Sequence, residues 1–422
     1  MDDEILVLEK DVEAVLARSY PKQDTRNDDK YLACVSLTDL LRWLAVPPLY
    51  TTLRVNTTAV TAIEAKELLK AELKKAEKEV IVDLPCGMAV LRGADVFKQG
   101  ILGAPSTMLA GERVKVMADV DGSCLRGFTK EYQGRKMYVG TGVSTVSREE
   151  LFCTKSETLR GVGIQMTEAL YQAPSLSNTL SSVVFPQNLP SVICGHVLDP
   201  KPGQTVLDVC AAPGGKTTHI AMLMKNQGRV IALDKTTDKV SRIQTSVDNF
   251  KLTCVETFAF DARKAAAQDA EMSGGPPYPP AMFDCVLLDG PCSALGQRPS
   301  VRNKMNASTL ASFPKLQRML LTTAVSLVRP GGVLVYSTCT IPVEENEDQV
   351  AWVLDTYPDM VLERQTPHLG GCGLPHTQLS ETDRSLVQRF GPSLQTDEEN
   401  EACDTDTIGF FIAKFRKQIT AS

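Results

Sequence analysis

The sequence predicts an α/β fold with a doubly wound, largely parallel sheet in its C-terminal half. Two observations support this prediction. From about Gly195 onward, short apolar segments typical of buried strands alternate with amphipathic segments typical of helices. A glycine-rich turn, "CAAPGGKTTHI", joins the first of these strands to the first helix, which is a usual connection in doubly wound sheets.

The N-terminal part of the chain divides into a helical and a β-rich region. The first eighty residues are predicted to be mostly helical, with one strand in "YTTLRVNT". In "AIEAKELLKAELKKAEKEV", leucines recur at helical spacing opposite a charged face. From about Ile81 to Gly163, the runs "MAVLRGADVF", "RVKVMADV" and "KMYVGTGV" alternate with glycine turns. This alternation predicts a small barrel.

The strands of the predicted parallel sheet are "TVLDVC", "RVIALD", "CVETFAFD", "FDCVLLD" and "GVLVYST". The helices between them include "GKTTHIAMLMKN" and "LASFPKLQRMLLTTAVSLVRP", and a further helix is predicted to begin at Val343. The segment "TIGFFIAKFRK" is predicted to be an antiparallel edge strand, which is common on such sheets. The acidic stretch 391–406 is predicted to be a solvated loop.

Composition excludes several classes of protein. No apolar run approaches the roughly 20 residues needed to span a bilayer. The acidic N-terminus "MDDEILVLEK" lacks the basic flank of a signal peptide, so a cytoplasmic protein without a membrane partner is expected. The twelve cysteines form no CxxC pair, and most are expected to be free, buried thiols. His368, Cys372 and His376 are close in sequence, but their glycine-rich loop and the lack of a fourth ligand argue against a metal site.

The net charge of −6 is unevenly distributed along the chain. Residues 381–406 carry eight acidic and two basic side chains, a net charge of −6, so the remainder sums to zero. Residues 81–165 carry eleven basic and nine acidic side chains, a net charge of +2. Overall charge argues against a nucleic-acid partner, but this distribution allows a local RNA surface. No obligate protein partner is evident.

The glycine turn and the strand ends next to it indicate a nucleoside ligand. Gly214 and Gly215 allow close approach of the backbone at a helix N-terminus. The next strand ends at Asp234, placed to accept hydrogen bonds from ribose hydroxyls, and Asp261 after the third strand is placed to contact an adenine amino group. A phosphate-binding P-loop would need glycine where Cys210 stands, and the dinucleotide motif G-x-G-x-x-G is absent. A turn without a ligand is disfavoured by the two acids at successive strand ends.

Two thiols follow neighbouring strands of the predicted sheet. Cys292 comes just after the fourth strand, which ends at Asp289, and Cys339 follows the fifth. Two thiols, an acid and a nucleoside cofactor suit methylation of cytosine at C5, in which one thiolate adds to C6 and a second group removes the C5 proton. Asp289 is placed to bind N3 and the amino group, and a lysine of the glycine turn to reach O2. A helix start near Cys339 would lower the pKa of its thiol, although the three glutamates of "EENE" oppose that effect.

With "CAAPGGK", "LDGPCS" and "VYSTCT" in this order, the chain resembles the Sun family of RNA cytosine-5 methyltransferases. The resemblance implies a Rossmann-like class I methyltransferase domain that uses S-adenosyl-L-methionine. It also implies that Cys339 is the nucleophile, that Cys292 releases the product, and that Asp289 and Lys216 hold the base. The residues it places around the cofactor are Cys210, Ala211, Ala212, Pro213, Gly214, Gly215, Lys216, Asp234, Asp261 and Asp289. DNA cytosine methyltransferases attack with the "PC" cysteine and lack the "TC" cysteine, so "STCT" argues against them.

The middle segment "GMAVLRGADVFKQGI" resembles a PUA domain, an RNA-binding pseudobarrel. Within the Sun family this insertion is similar to that of a vertebrate member that methylates the tRNA acceptor stem and messenger RNA hairpins. The resemblance implies a helical region and the first part of a small α/β RNA-binding subdomain over 1–80, and the PUA domain over 81–165. The rest of the subdomain and the methyltransferase domain would occupy 166–422. "PPLYTTLRVNT" and "GVGIQMTEALY" resemble the two parts of the subdomain.

The resemblance implies RNA as the partner, namely the tRNA acceptor end with its CCA, and also messenger RNA. The candidate RNA contacts are Arg92, Phe97, Arg126 and Lys130. Solvated surface charges and a core phenylalanine are the alternative interpretation of these four side chains.

Two other functions remain open. A ribosomal RNA methyltransferase is disfavoured by the PUA insertion, and a catalytically silent RNA-binding scaffold is disfavoured by the presence of both thiols. Two positions depart from the family pattern, with Ala294 where glycine is usual and Gly290 where alanine is usual. Both changes affect the flexibility of the loop that carries Cys292.

Overall fold

The computed structural model describes residues 6–18, 20, 36–45, 53–55, 78–152, 161–169, 182, 184–271, 274–300, 302–392 and 406–419. Within these ranges, none of the helices combines the length and apolar character that crossing a membrane requires. Most of the helix predicted over 62–80 and most of the acidic stretch 391–406 lie outside the described residues.

The described strands form an eight-stranded sheet, a six-stranded sheet and a two-stranded ribbon. In chain order they are β1 (Leu53–Val55), β2 (Lys78–Val82), β3 (Val96–Phe97), β4 (Ile101–Gly103), β5 (Arg113–Asp119), β6 (Lys136–Ser144), β7 (Val162–Ala169), β8 (Val184–Pro186), β9 (Thr205–Asp208), β10 (Arg229–Asp234), β11 (Val255–Ala259), β12 (Phe283–Asp289), β13 (Val328–Thr338), β14 (Met360–Leu362), β15 (Gln388–Phe390) and β16 (Phe410–Lys417). The α-helices are Lys10–Leu16, Leu37–Ala45, Leu84–Leu91, Arg148–Phe152, Leu189–Leu198, Gly215–Leu223, Thr237–Asn249, Ala307–Leu310, Ser312–Leu327, Glu347–Thr356 and Glu381–Leu386.

The eight-stranded sheet has the order β11-β10-β9-β12-β13-β16-β14, with β15 also paired to β16. Strands β9 to β13 run parallel, β16 pairs antiparallel with β13, and β14 and β15 each pair antiparallel with β16. The predicted doubly wound, largely parallel sheet is confirmed. The predicted edge position of "TIGFFIAKFRK" is wrong, because β16 has partners on both sides. Its first six residues are buried, as expected for an inner strand.

Helices cover both faces of this sheet, which explains why its strands are continuously apolar. In β9, Val206 packs with the helices Leu189–Leu198 and Gly215–Leu223, whereas Leu207 faces the other side and packs with Ser312–Leu327. The connections that follow the parallel strands all emerge at their carboxyl ends. Side chains at those ends are therefore available for a site.

The six-stranded sheet has the order β3-β7-β6-β5-β2-β4 and a hydrophobic core of its own. It begins at Lys78, so the last three residues of the predicted 62–80 helix are strand. It also includes β7, so the predicted boundary between 165 and 166 falls inside a strand. The reason is packing: Ile164 and Met166 are buried in this core, and the Met166 N–H donates to Asp95 Oδ1 over 2.9 Å.

The segment "MAVL", predicted as part of a β-rich run, lies in the helix Leu84–Leu91. The Asp83 side chain caps this helix by accepting from the Cys86 N–H over 2.7 Å, and Pro85 lies in its first turn. The capped start allows Met88 and Leu91 to be buried in the core of the six-stranded sheet. Local capping thus overrides the strand propensity of the apolar residues that follow.

The two-stranded ribbon corrects the predicted N-terminal subdomain. The sequence assigned "GVGIQMTEALY" to it, yet Val162–Ala169 completes the six-stranded sheet as β7. Instead, β8 pairs antiparallel with β1, with Arg54 opposite Phe185. Strand β8 leads directly into the helix Leu189–Leu198, which lies on the same face of the large sheet as the helix Gly215–Leu223 that follows the glycine turn.

Candidate functional site

The glycine turn between β9 and the helix Gly215–Leu223 forms one wall of the site. Gly214 has a φ of 104°, in the left-handed region, and a Cβ there would lie 3.2 Å from the Ile243 Cα. Thr217 anchors the turn, because its Oγ1 donates to Asp208 Oδ2 over 2.7 Å. The turn therefore presents the backbone N–H groups of a helix start at the carboxyl edge of the sheet.

A cavity of about 200 Å³ opens beside this turn. Its lining includes seven of the ten residues that the sequence predicted to surround a cofactor: Cys210, Ala211, Ala212, Pro213, Gly215, Lys216 and Asp289. The other three, Gly214, Asp234 and Asp261, lie outside the lining. The cavity is continuous with the ends of β9 and β12, which places it next to Asp289.

Two further residues of the lining carry polar atoms without a hydrogen-bond partner among the described residues. They are Gln187, whose amide oxygen and nitrogen are both unpaired, and Asp208, whose Oδ1 is unpaired. Gln187 is only 8% exposed, so water does not satisfy its amide freely. Burial raises the pKa of the Asp208 carboxyl to about 7. The sequence analysis identified neither residue. Asp208 could have been found as an acid at a strand end, like Asp234, whereas no sequence pattern predicts a role for Gln187.

The two strand-end acids singled out by the sequence support the turn and its surroundings. Asp234 accepts from the Ala212 N–H over 3.1 Å and pairs with Lys239 Nζ at 3.0 Å. Asp261 lies two residues beyond β11 and is bound by the guanidinium of Arg263, with a shortest contact of 2.5 Å. This hydrogen bonding lowers the pKa of the Asp261 carboxyl to about 2. Asp234 thus supports the glycine turn directly, whereas Asp261 is bound by its neighbour Arg263.

The two thiols that follow β12 and β13 are in contact. These strands are parallel neighbours, as the sequence predicted, and Asp289 lies opposite Ser337. Their connections bring Cys292 Sγ to 3.4 Å from Cys339 Sγ. One thiol can therefore donate a hydrogen bond to the other.

The surroundings distinguish the two thiols. The pKa of the Cys339 thiol is lowered, chiefly because Cys292 donates a hydrogen bond to it; burial and the Asp289 charge oppose this effect, and Gln297 and Lys216 add to it. The pKa of the Cys292 thiol is raised well above its usual range by the same contact and by burial. The two shifts favour Cys339 over Cys292 as the thiol that ionises first.

The α-helix after Cys339 begins later than the sequence predicted. Val343–Glu345 forms a 3-10 turn, and the α-helix begins at Glu347. The carboxylate of Glu347 pairs with Arg389 at 2.7 Å. The largest cause of the lowered pKa of Cys339 is the hydrogen bond from Cys292, and a contribution from the helix start stays a prediction.

Lys216 and Asp289 form an ion pair over 2.7 Å between the cavity and the thiols. The second carboxylate oxygen of Asp289 accepts from Ser337 Oγ over 2.8 Å. Burial alone would lower the pKa of the Lys216 ammonium, but the carboxylate of Asp289 and the thiols of Cys194 and Cys339 raise it above its usual value. The Lys216–Asp289 ion pair thus adjoins the thiol whose pKa is lowered, an arrangement that suits polarisation of a planar, hydrogen-bonding ring.

Comparisons with known proteins agree with this arrangement. Residues 195–416 match the family described as 16S rRNA methyltransferase RsmB/F. The chain is 42% identical to the mouse and 43% identical to the human tRNA (cytosine(72)-C(5))-methyltransferase NSUN6; each alignment covers 90% of this chain, with 89% of the mouse and 90% of the human protein. The chain belongs to the Sun family of RNA cytosine-5 methyltransferases. Its activity is the transfer of a methyl group to C5 of cytosine in RNA.

A solved structure of a related protein is similar to this Sun-family chain over nearly its whole length. The crystal structure of NSun6 from Pyrococcus horikoshii with SFG is 26% identical in sequence and superposes with a TM-score of 0.70. The match covers 97% of this chain and 98% of that one. The class I methyltransferase fold predicted from the motifs is therefore confirmed.

The four candidate RNA contacts of this Sun-family chain fall into two groups. Arg92 donates to the Pro299 carbonyl over 3.3 Å, and Arg126 donates to the Gln99 and Ile101 carbonyls over 3.1 and 3.0 Å. Both arginines thus support the fold. Phe97 is 53% exposed and Lys130 is exposed, as a contact surface requires. These two remain the better candidates.

The sequence expected no metal site at His368, Cys372 and His376. In the part of the chain that the structure describes, no group of three or more histidine, cysteine or acidic side chains is arranged to hold a metal ion.

The two departures from the Sun-family pattern have physical readings. Ala294 has a φ of 54°, in the left-handed region where glycine is free of steric cost, so the family preference for glycine there is explained by the backbone. At Gly290 a Cβ would meet only Leu288 side-chain atoms, at 3.6 and 3.8 Å, which is ordinary contact. An alanine at that position is therefore compatible with the loop.

Alkylation should report the thiolate on Cys339. A group with a lowered pKa is ionised at lower pH, so iodoacetamide is expected to modify Cys339 before Cys292 and at a pH below that of an ordinary thiol. In Cys292→Ala the strongest cause of the lowered pKa is gone, and the pH midpoint for Cys339 should move upward. Peptide mass spectrometry across neutral and alkaline pH measures both, with the exposed Cys372 as an internal control for the reagent. An unchanged midpoint would show that Cys292 does not tune Cys339.

Proposed function

We propose that this Sun-family enzyme uses S-adenosyl-L-methionine to methylate a cytosine next to the CCA end of the tRNA acceptor stem. The observation that carries the chemistry is the contact between Cys292 and Cys339, in which the pKa of Cys339 is lowered and that of Cys292 is raised. The substrate is supported by relatives named tRNA (cytosine(72)-C(5))-methyltransferase, whose likeness covers 90% of this chain. Messenger RNA hairpins are a second proposed RNA class.

The cavity beside the glycine turn fits the proposed cofactor. The amide of Gln187 offers an unpaired donor and an unpaired acceptor, and Asp208 Oδ1 offers a further acceptor. An α-amino acid end with a carboxylate and an ammonium group would satisfy all three. An ammonium group there would also favour the ionised form of Asp208. Asp234 and Asp261 are the proposed partners of the ribose and the adenine, and the P. horikoshii protein was solved with SFG, an S-adenosylmethionine analogue.

Cys339 is proposed to begin the reaction by adding its sulfur to C6 of the cytosine. The C5=C6 electron pair then becomes available at C5, and the negative charge that spreads to O2 is stabilised by Lys216, while the Asp289 carboxylate accepts from the cytosine amino group and orients the ring. When bound, S-adenosyl-L-methionine supplies a methyl sulfonium as the electrophile. Because the target carbon is buried within a duplex, the cytosine must leave its stack to reach Cys339.

Cys292 is proposed to complete the reaction by taking the C5 proton. The C–H electron pair restores the C5=C6 bond, the C6–S bond breaks, and Cys339 is regenerated as a thiolate. Once Cys339 is bound to carbon, its negative charge and its acceptor role are gone, so the largest cause that raises the pKa of Cys292 disappears, and burial remains. Cys292 can then release its own proton to water and act as the base.

The six-stranded sheet formed by β2 to β7 is proposed to be the PUA domain. It has its own hydrophobic core, and it exposes the apolar side chains of Phe97 and Leu125, the latter at 78%. The exposed basic residue Lys130 follows Leu125 in the same connection. Aromatic and apolar surfaces beside local positive charge suit stacking of unpaired nucleotides. The ribbon of β1 and β8 is proposed as part of the small N-terminal RNA-binding subdomain.

Loss of the Asp234 carboxylate should weaken cofactor binding. Asp234→Ala removes the proposed acceptor for the ribose hydroxyls and the acceptor for the Ala212 N–H, so affinity should fall by about 1–3 kcal/mol. Isothermal calorimetry with S-adenosyl-L-methionine measures this. Asp238→Ala, which removes an exposed acid from the next helix, is the matched control and should bind normally. Normal affinity in folded Asp234→Ala would remove Asp234 from the cofactor site.

The experiment that tests the proposed function is methylation of total RNA. The full-length protein is incubated with labelled S-adenosyl-L-methionine and unmodified total RNA, and the methylated cytosines are mapped. Label at the acceptor end of tRNA supports the proposal. Label confined to ribosomal RNA would overturn the substrate in favour of a ribosomal RNA methyltransferase.

A further inference from the structure

Glu345, which follows the "STCT" motif, carries a carboxylate that is completely buried. Its oxygens accept from the Ser293 N–H over 3.0 Å, from Ser293 Oγ over 2.5 Å and from Gln317 Nε2 over 2.9 Å. Burial raises the pKa of this carboxyl, although the hydrogen bonds to Ser293 and Gln317 lower it. A buried carboxylate is expensive unless such donors satisfy it, so its retention here needs a reason.

One donor of Glu345, Ser293, belongs to the loop that carries Cys292, and the other, Gln317 of the helix Ser312–Leu327, is hydrogen-bonded to that loop. Ser293 is the next residue after Cys292, and Gln317 Nε2 also donates to the carbonyl of Pro291, the residue before it, over 3.0 Å. Thr340, next to Cys339, joins the same network, because its Oγ1 is 2.6 Å from Ser293 Oγ. Both flanks of Cys292 are therefore fastened to the segment that follows Cys339.

The two thiols depend on this network to different degrees. Cys339 directly follows β13, whose last residue Thr338 is buried and donates to Asn346 Oδ1 over 2.6 Å. Cys292 lies in the segment 290–300, which contains no helix or strand. Its position is therefore set by side-chain hydrogen bonds more than by regular structure.

We propose that Glu345 is a positioning residue that holds Cys292 against Cys339 and thereby controls release of the methylated RNA. Glu345 does not touch the reacting atoms, and it acts through Ser293 and the backbone around Cys292. Its loss lets the Cys292 loop shift while Cys339 stays at its strand end, so elimination is impaired more than attack. This inference rests on the roles proposed above for the two thiols.

The test compares Glu345→Gln with Glu344→Gln in the full-length protein. Glutamine at position 345 keeps the shape of the side chain but replaces one carboxylate oxygen, an acceptor, with an N–H donor that faces other donors. Glu344→Gln makes the same charge change one residue away, at a side chain that is partly exposed. Turnover of Glu345→Gln on tRNA should fall roughly 10- to 100-fold, as expected for a misplaced catalytic group. Adduct formation in a single turnover should fall much less. Covalent protein–RNA adduct should therefore accumulate on a denaturing gel with Glu345→Gln and not with Glu344→Gln.

A loss of stability alone would give a different result. Thermal unfolding measures the folded fraction, and turnover that falls only in proportion to it, without accumulated adduct, would overturn the positioning role. If Glu345→Gln does not fold, Ser293→Ala removes one hydroxyl of the network and should accumulate adduct to a smaller extent; its failure to do so would count equally against the role. Cys292→Ala serves as the reference. If it traps no adduct, the proposed thiol roles fall and the inference with them; if it traps adduct while the network variants do not, only the inference falls.

Discussion

Replacing Cys339 by alanine should abolish both methylation and the covalent protein–RNA adduct, whereas replacing Cys292 by alanine should trap the protein on RNA. The reason is that the two thiols, which are 3.4 Å apart, are proposed to have different roles: the pKa of Cys339 is lowered and that of Cys292 is raised. Without the Cys339 thiolate no bond to C6 forms. Without Cys292 attack and methyl transfer proceed, but the C5 proton stays and the C6–S bond persists.

A denaturing gel of each variant with unmodified tRNA and S-adenosyl-L-methionine measures the adduct, and label transfer measures methylation. Cys372→Ala, which removes an exposed thiol, should behave as the unsubstituted protein. Adduct that forms with Cys339→Ala and is absent with Cys292→Ala would reverse the assigned roles.

Removing the CCA end from a substrate tRNA should abolish its methylation. A cytosine within a duplex must be flipped out at a cost of a few kcal/mol. The pair that closes an acceptor stem lacks a stacking neighbour on one side and opens more cheaply. The proposed PUA domain would hold the unpaired CCA, which leaves the adjacent cytosine to enter between Cys292 and Cys339. Without the CCA, that contact and its contribution to opening are lost.

The measurement is initial methylation rate on full-length tRNA and on the same tRNA trimmed of CCA, with both refolded identically. A tRNA whose CCA is present but whose closing pair contains no cytosine is the control for chemistry and should bind without being methylated. Full activity on the trimmed tRNA would remove the CCA from recognition and favour hairpin or sequence recognition instead.

The sequence predicted the parts of the fold that depend on local patterns. Continuous apolar strands such as β9 and β12 identify a sheet covered on both faces, and parallel order then brings the ends of β12 and β13 together. That order places Asp289, Cys292 and Cys339 at one edge of the sheet, and hydrogen bonds of the Cys292 loop then bring the two thiols into contact.

What the sequence did not predict depends on contacts between distant segments. Gln187 lines the cavity directly after β8, and β8 pairs with β1. The hydrophobic periodicity of the sequence does not predict that pairing. Arg126 resembles an RNA contact in sequence but is bound by backbone carbonyls. The acid that affects the Cys292 loop most is Glu345, which looked like one of several charges at a helix start but is buried against Ser293.

The central claim, that Cys339 is the residue that bonds to C6 of the target cytosine, can be tested with 5-fluorocytosine placed at the acceptor-end target of a tRNA. Cys292 cannot remove fluorine as it removes a proton, so the unsubstituted protein should remain bound to this RNA after methyl transfer. Digestion and mass spectrometry of the trapped complex should then find the nucleotide on the peptide that contains Cys339. A nucleotide attached to Cys292, or no adduct although unmodified tRNA is methylated, would contradict the account.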